Sequence, residues 1–195
     1  MRITAIATVV LLLIVLLGCN KSEGSAGSGG QASQVGSVKI GDQAPDFSLP
    51  GYPHQEFILE TYRGQQAVVL YFYPKDDTPD CTVQACAFRD TAEEFLRNGA
   101  VIVGVSRDDL SAHALFADEL ELPFALLSDA DGQVRRAFGN PDGSTDLVSR
   151  ITYVIDKQGV VREIIDGRQT SDLNDHVIRS LGKVRELAGE QSTAG

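Results

Sequence analysis

Val68-Val69-Leu70-Tyr71-Phe72-Tyr73-Pro74-Lys75-Asp76-Asp77-Thr78-Pro79-Asp80-Cys81 is the stretch on which the reading of this chain turns. Its first half is an unbroken run of β-branched, aliphatic and aromatic residues, the pattern of a strand buried on both faces. Pro74 has no N–H to give to a sheet ladder, so the strand ends there and a polar loop follows. From Thr82 to Arg97 apolar residues recur at helical spacing, with Asp, Glu and Arg on the other side. The loop therefore delivers Cys81 to the start of a helix. A helix start carries unsatisfied N–H groups and the positive end of the macrodipole, and both favour thiolate over thiol.

Working outward, strand-like runs occur at Ala67 to Tyr73, Ala100 to Ser106, Ile151 to Ile155 and Val160 to Ile165. Helical spacing predicts helices over Thr82 to Arg97, Ser111 to Leu120 and Asp172 to Leu187. Asn98-Gly99 punctuates the first helix, and Asp156-Lys157-Gln158-Gly159 between two β-branched runs reads as a hairpin. Strand, helix, strand, helix, hairpin, helix is the order of an α/β fold, a central mixed β-sheet flanked by helices on both faces.

Cys86 lies five positions beyond Cys81. On a regular helix that spacing separates the Cα atoms by roughly 8.7 Å. A disulfide needs them within about 7 Å, so bridging the two would require the first helical turn to unwind.

The third cysteine has a different setting. Ile3 to Leu17 is almost wholly apolar, shorter than the roughly 20 residues that span a bilayer, and ends in Leu16-Leu17-Gly18-Cys19. Residues 1–18 read as a secretion signal that resembles those of bacterial lipoproteins, in which such a cysteine is lipidated and becomes the N-terminus. Residues 19–37 then form the lipidated Cys19 and a flexible Gly/Ser-rich tether, 38–189 the folded domain and 190–195 a disordered tail. The expected location is the cell envelope, lipid-anchored and extracytoplasmic, facing the periplasm if the bacterium has two membranes. The net charge of -10 repels phosphate backbones, so nucleic acid is not an expected partner.

Several segments together resemble the peroxiredoxins of the bacterioferritin-comigratory or Q-type subfamily. Gly41-Asp42-Gln43-Ala44-Pro45-Asp46-Phe47-Ser48-Leu49-Pro50 is similar to the family's opening and Tyr71 to Asp76 to its active-site strand. Cys81-Thr82-Val83-Gln84-Ala85-Cys86 with Phe88-Arg89-Asp90 is similar to its peroxidatic helix, and Ser149 to Asp156 to the strand that carries its arginine. The resemblance implies a thioredoxin-like fold, no cofactor, a monomer, and reduction of a peroxide with a thioredoxin-like dithiol reductant. It makes Cys81 the peroxidatic and Cys86 the resolving cysteine, with Pro74, Thr78 and Arg150 completing the pocket. Asp80 stands where the family usually has glycine, which places a carboxylate next to the thiolate and is expected to lower peroxide reactivity. The segment from Phe138 to Ser149 is shorter than in some relatives.

Other readings compete. An extracytoplasmic thiol-disulfide oxidoreductase would usually carry Cys-x-x-Cys, whereas four residues intervene here. A copper-delivery module would need a well-placed histidine beside the cysteine pair. His54, His113 and His176 are scattered without ligand spacing, so solvated or capping roles are expected and no metal site is proposed. The dispersed Asp and Glu residues read as a solvated surface.

Overall fold

In the computed structural model, residues 37–140, 150–170 and 172–193 are described, with side chains through Glu190. The elements are β1 (Ser48–Tyr52), β2 (Glu56–Ile58), a 3-10 turn (Leu59–Tyr62), β3 (Ala67–Phe72), α1 (Pro79–Arg97), β4 (Ala100–Ser106), α2 (Leu110–Glu119), β5 (Ala125–Ser128), α3 (Gln133–Ala137), β6 (Ile151–Ile155), β7 (Val161–Asp166) and α4 (Leu173–Thr193). Seven strands form one sheet in the order β2-β1-β5-β4-β3-β6-β7. β3 lies inside it, parallel to β4 and antiparallel to β6.

All six residues of β3 are buried, which is why its sequence is continuous rather than alternating in polarity. Its side chains still alternate between faces. Val69, Tyr71 and Tyr73 pack with Phe88 and Phe95 of α1, Phe116 and Ala117 of α2, and Val177, Leu181 and Val184 of α4. Val68, Leu70 and Phe72 face the other way, against Val134 and Phe138 near α3 and Leu49, Phe57 and Leu59 from the first third of the domain. The crossovers β3-α1-β4 and β4-α2-β5 step towards the same sheet edge, so right-handed connections place both helices on one face. Helices cover both faces, as the element order predicts, but unequally: α3 is short and shares its face with the turns around β1 and β2.

The four strands read from the sequence are present to within about two residues, the ordinary uncertainty of strand and helix ends. β1, β2, β5 and α3 are not among the expected elements. β1 contains Pro50 and Gly51, which weaken a strand pattern, and β5 is four residues long. Both are held by pairing: Gly51 faces Leu127 and Tyr52 faces Leu126 across the sheet. α1 begins at Pro79 rather than Thr82, because proline is well suited to a first helical position where no N–H is needed. α4 corrects the expectation of a disordered tail from residue 190: Glu190-Gln191-Ser192-Thr193 holds no helix breaker, and the helix continues to Thr193. The leader, Cys19 and the tether lie outside the described residues, as do residues 141–149 of the segment expected to be short. No helix among the described residues is long and apolar enough to cross a membrane.

Candidate active site

The C-terminal end of β3 and the start of β6 meet at one end of the sheet, where Phe72 pairs with Ile151. This register brings together two segments that are some 70 residues apart in sequence: the loop leading to Cys81, and Arg150 immediately before β6. Cys81 is the third residue of α1 and only 2% exposed. Cys86 is half-buried three turns from the helix's far end, and both thiols are free.

Thr78 is the N-cap of α1, yet its side chain caps nothing. Its hydroxyl instead donates to the Lys75 carbonyl at 3.1 Å. Two consequences follow from that bond. The N–H groups at the helix start are left open to an anion. With its proton committed to the loop, the Thr78 oxygen faces other groups only as an acceptor, so it donates to a sulfur or peroxide oxygen only after turning away from Lys75. Pro74, half-buried, turns the chain out of the sheet directly after Tyr73, whose N–H is the last to bond β4, at 3.1 Å to Val105 O.

Arg150 is 1% exposed, a guanidinium sealed in the protein. Its Nη1 donates to Gln84 Oε1 at 3.2 Å, and Gln84 lies one turn beyond Cys81 on the buried side of α1. Nε and Nη2 of Arg150, Nε2 of Gln84 and the hydroxyl of Tyr71 are buried with no partner among the described residues. An orphaned buried donor costs about 1–3 kcal/mol, more when charged, so four in one place are not a packing accident that a stable domain would carry for nothing. Burial foremost, and then the nearby Cys81 sulfur, hold the Tyr71 phenol well above its ordinary pKa, while Arg150 pulls the other way. Tyr71 therefore stays protonated and is a donor. Its ring end has room only because position 104 is glycine: a Cβ there would lie 2.7 Å from the Tyr71 hydroxyl.

Behind Arg150, Thr152 Oγ1 is 2.8 Å from His176 Nδ1 on α4. Burial, then Arg150 and Arg179, lower the His176 pKa to about 4, so the imidazole is neutral at pH 7 and adds no second positive charge beside the guanidinium. This group carries a pH dependence. Its folded pKa lies below the unfolded value near 6.5, so the unfolded chain binds the extra proton and stability is lost as pH falls from about 6.5 to 4. A shift of that size corresponds to about 3 kcal/mol at most. In urea titrations between pH 7 and 4, His176→Leu is expected to flatten the decline relative to the parent chain; parallel curves would show that His176 does not contribute.

The structure corrects the expected roles of two histidines. His113 and His176 are fully buried and hydrogen-bonded, not solvated, because both lie on the sheet-facing sides of their helices. Asp76, Asp129, Asp156 and Asp166 likewise leave the expected solvated surface: each is buried and accepts bonds from nearby donors. No group of three or more His, Cys, Asp or Glu among the described residues could hold a metal.

The expected residues Cys81, Thr78, Pro74 and Arg150 thus converge on one end of the sheet, with Cys86 on the same helix as Cys81. A free thiol at a helix start, with buried donors on Gln84 of the same helix, on Arg150 bonded to it and on Tyr71, is an arrangement suited to a small molecule that accepts hydrogen bonds. Residues 40–164 match the model of the AhpC/TSA family. The chain belongs to the AhpC/TSA family.

Within that family its relatives are peroxiredoxins of the Q type. It is 45% identical over 134 residues to chloroplastic peroxiredoxin Q of Triticum aestivum, covering 68% of this chain and 61% of that protein. The chain thus spans about three-fifths of the length of these curated relatives. Among solved structures it superimposes on peroxidoxin BcpB of Mycobacterium tuberculosis with a TM-score of 0.70 at 35% identity, covering 77% of this chain and 98% of that one. It also superimposes on the bacterioferritin comigratory protein of Xanthomonas campestris, described in terms of alkyl peroxide reduction, with a TM-score of 0.66 at 26% identity, covering 77% of this chain and 98% of that one. The fold of this AhpC/TSA member is accordingly thioredoxin-like.

Gln84 and Tyr71 are the site residues that sequence reasoning passed over. Gln84 had a signal: it is a polar residue on the apolar stripe Cys81, Ala85, Phe88 of α1. Tyr71 had none, since an aromatic residue inside a buried strand reads as core.

Proposed function

We propose that this protein is a thiol peroxidase in which Cys81 reduces a hydroperoxide and Cys86 resolves the product. The observation that carries this reading is the set of four buried donors on Arg150, Gln84 and Tyr71 that have no partner among the described residues, with a free cysteine at the start of the same helix as Gln84. The Cys81 thiolate attacks the nearer oxygen of the peroxide. The O–O bond breaks, sulfur is oxidised to sulfenic acid, and the departing hydroxide or alkoxide is stabilised by the converging N–H and O–H groups until it takes a proton from water.

Cys86 then attacks the Cys81 sulfur as a thiolate, forming the S–S bond and releasing the sulfenic oxygen as water. Both cysteines lie on one uninterrupted helix, so the roughly 8.7 Å ideal Cα separation must shrink by loss of the first turn of α1. A dithiol of the thioredoxin type would restore both thiols by exchange and leave as its own disulfide. The protein acts as a monomer, tethered outside the cytoplasm through Cys19, where peroxides of the envelope are within its reach. Hydrogen peroxide and alkyl hydroperoxides both fit the donor set, and the reported chemistry of the Xanthomonas relative supports the second.

Cys86→Ser separates the two steps. The variant is expected to consume one equivalent of hydrogen peroxide at close to the parent rate, to trap a sulfenic acid reactive to dimedone, and to stop there with dithiol present at low concentration. Continued turnover at the parent rate, with no trapped adduct by mass spectrometry, would remove Cys86 from the cycle.

A further inference from the structure

The loop between β3 and α1 is held by a buried polar chain that the proposed chemistry does not use. Tyr73 Oη donates to Asp76 Oδ1 at 2.6 Å, and His113 Nδ1 lies 2.7 Å from Asp76 Oδ2. A carboxylate only accepts, so the imidazole carries its proton on Nδ1 and donates it. The Asp76 N–H donates to Asp108 Oδ2 at 2.9 Å, and the same oxygen accepts from Ser106 Oγ at 2.7 Å. His113 is fully buried on α2 and Asp76 is 5% exposed. The chain therefore ties together three elements: α2, the end of β4, and the loop.

What this chain holds is the segment that must be right for peroxide capture. Asp77, next to Asp76, has φ 53°, a left-handed conformation that a non-glycine residue adopts only when its surroundings impose it. Thr78 and the start of α1 follow directly. Capture needs this loop and the first turn in place, whereas disulfide closure needs the turn to come apart. A tie anchored in Asp76 favours the first conformation over the second.

We infer that Tyr73, Asp76 and His113 form a positioning latch: it holds the Pro74–Thr78 loop in the peroxide-receiving conformation and sets how readily α1 unwinds for closure. The three are positioning residues, acting through the bonds that Asp76 makes to Tyr73, His113 and Asp108. The inference rests on the peroxidase reading of Cys81. Its signature is an opposite effect on two successive steps, which a general loss of packing does not produce.

The test uses the full chain and single-turnover stopped flow with hydrogen peroxide. His113→Phe keeps a ring and removes the donor. It is expected to slow Cys81 oxidation about tenfold, measured with Cys86→Ser also present, and to speed Cys81–Cys86 closure severalfold when Cys86 is intact. His113→Asn places a carboxamide N–H where Nδ1–H stood and should return both rates to within about threefold of the parent. Tyr73→Phe, which deletes one hydroxyl, should shift both steps in the same directions by a smaller factor, and it decides the matter if His113→Phe does not fold. Unchanged rates, both steps slowed together, or no recovery in His113→Asn would overturn the latch. If the parent chain itself fails to react with hydrogen peroxide, the peroxidase reading falls instead. The latch is then read from amide exchange, which should rise across residues 75–82 in His113→Phe and would overturn it by staying unchanged.

Discussion

Cys81→Ser is expected to lose peroxide consumption by at least about a thousandfold, to the level of the uncatalysed reaction with the remaining thiols. The expectation follows from where the residue sits. A hydroxyl at the same place is a far weaker nucleophile than a thiolate, and the two buried histidines among the described residues are already engaged, His176 with Thr152 and His113 with Asp76. A thousandfold loss corresponds to about 4 kcal/mol of transition-state stabilisation, more than any surface or packing change at a side chain of equal size would produce. The fold should be untouched, since serine fits the volume of a residue 2% exposed at a helix start. Stopped-flow rates with hydrogen peroxide and with an alkyl hydroperoxide, together with a far-UV circular dichroism melt, check both halves. Retained consumption in a folded Cys81→Ser chain would take the chemistry away from this sulfur altogether.

Arg150→Met should cost about 10²- to 10³-fold in the second-order rate with peroxide, the range found when a donor aimed at developing negative charge is deleted from a buried site. Here the guanidinium supplies two of the four donors without a partner among the described residues and holds Gln84 in place at 3.2 Å, so its removal dismantles most of the set. The same variant is expected not to lose stability. Arg150 is 1% exposed with two donors unmet among the described residues, and exchanging such a buried charge for an apolar side chain of similar length relieves a desolvation cost rather than adding one. Activity that falls while the urea midpoint holds or rises marks a residue kept for function. A midpoint that falls in proportion to activity would instead make Arg150 a structural tie between β6 and α1.

The lines legible in the sequence were those set by local pattern. β3 announces itself because a strand covered on both faces leaves no room for polar residues, and Pro74 marks its end because proline cannot extend the ladder. The position of Cys81 at a helix start could be read because the 3.6-residue period begins just beyond it. Cys86 follows from the same helix by spacing alone. β1, β2 and β5 were not legible. They are short, interrupted by Pro50 and Gly51 in the first case, and exist because β4, β5 and β1 in turn offer an edge to pair with.

For this protein the sequence alone determined the strand-loop-helix unit that presents a sulfur to the positive end of α1, since periodicity and proline chemistry act within a few residues of one another. Tertiary structure alone decided what that sulfur faces. Arg150 is brought to that end of the sheet by the pairing of Phe72 with Ile151 and Tyr71 finds its space at Gly104, while helices laid over the sheet set His176 against Thr152 and His113 against Asp76. None of these contacts has a local signature, because each depends on strand register and on which face a helix covers, and those are settled by burial across the whole domain.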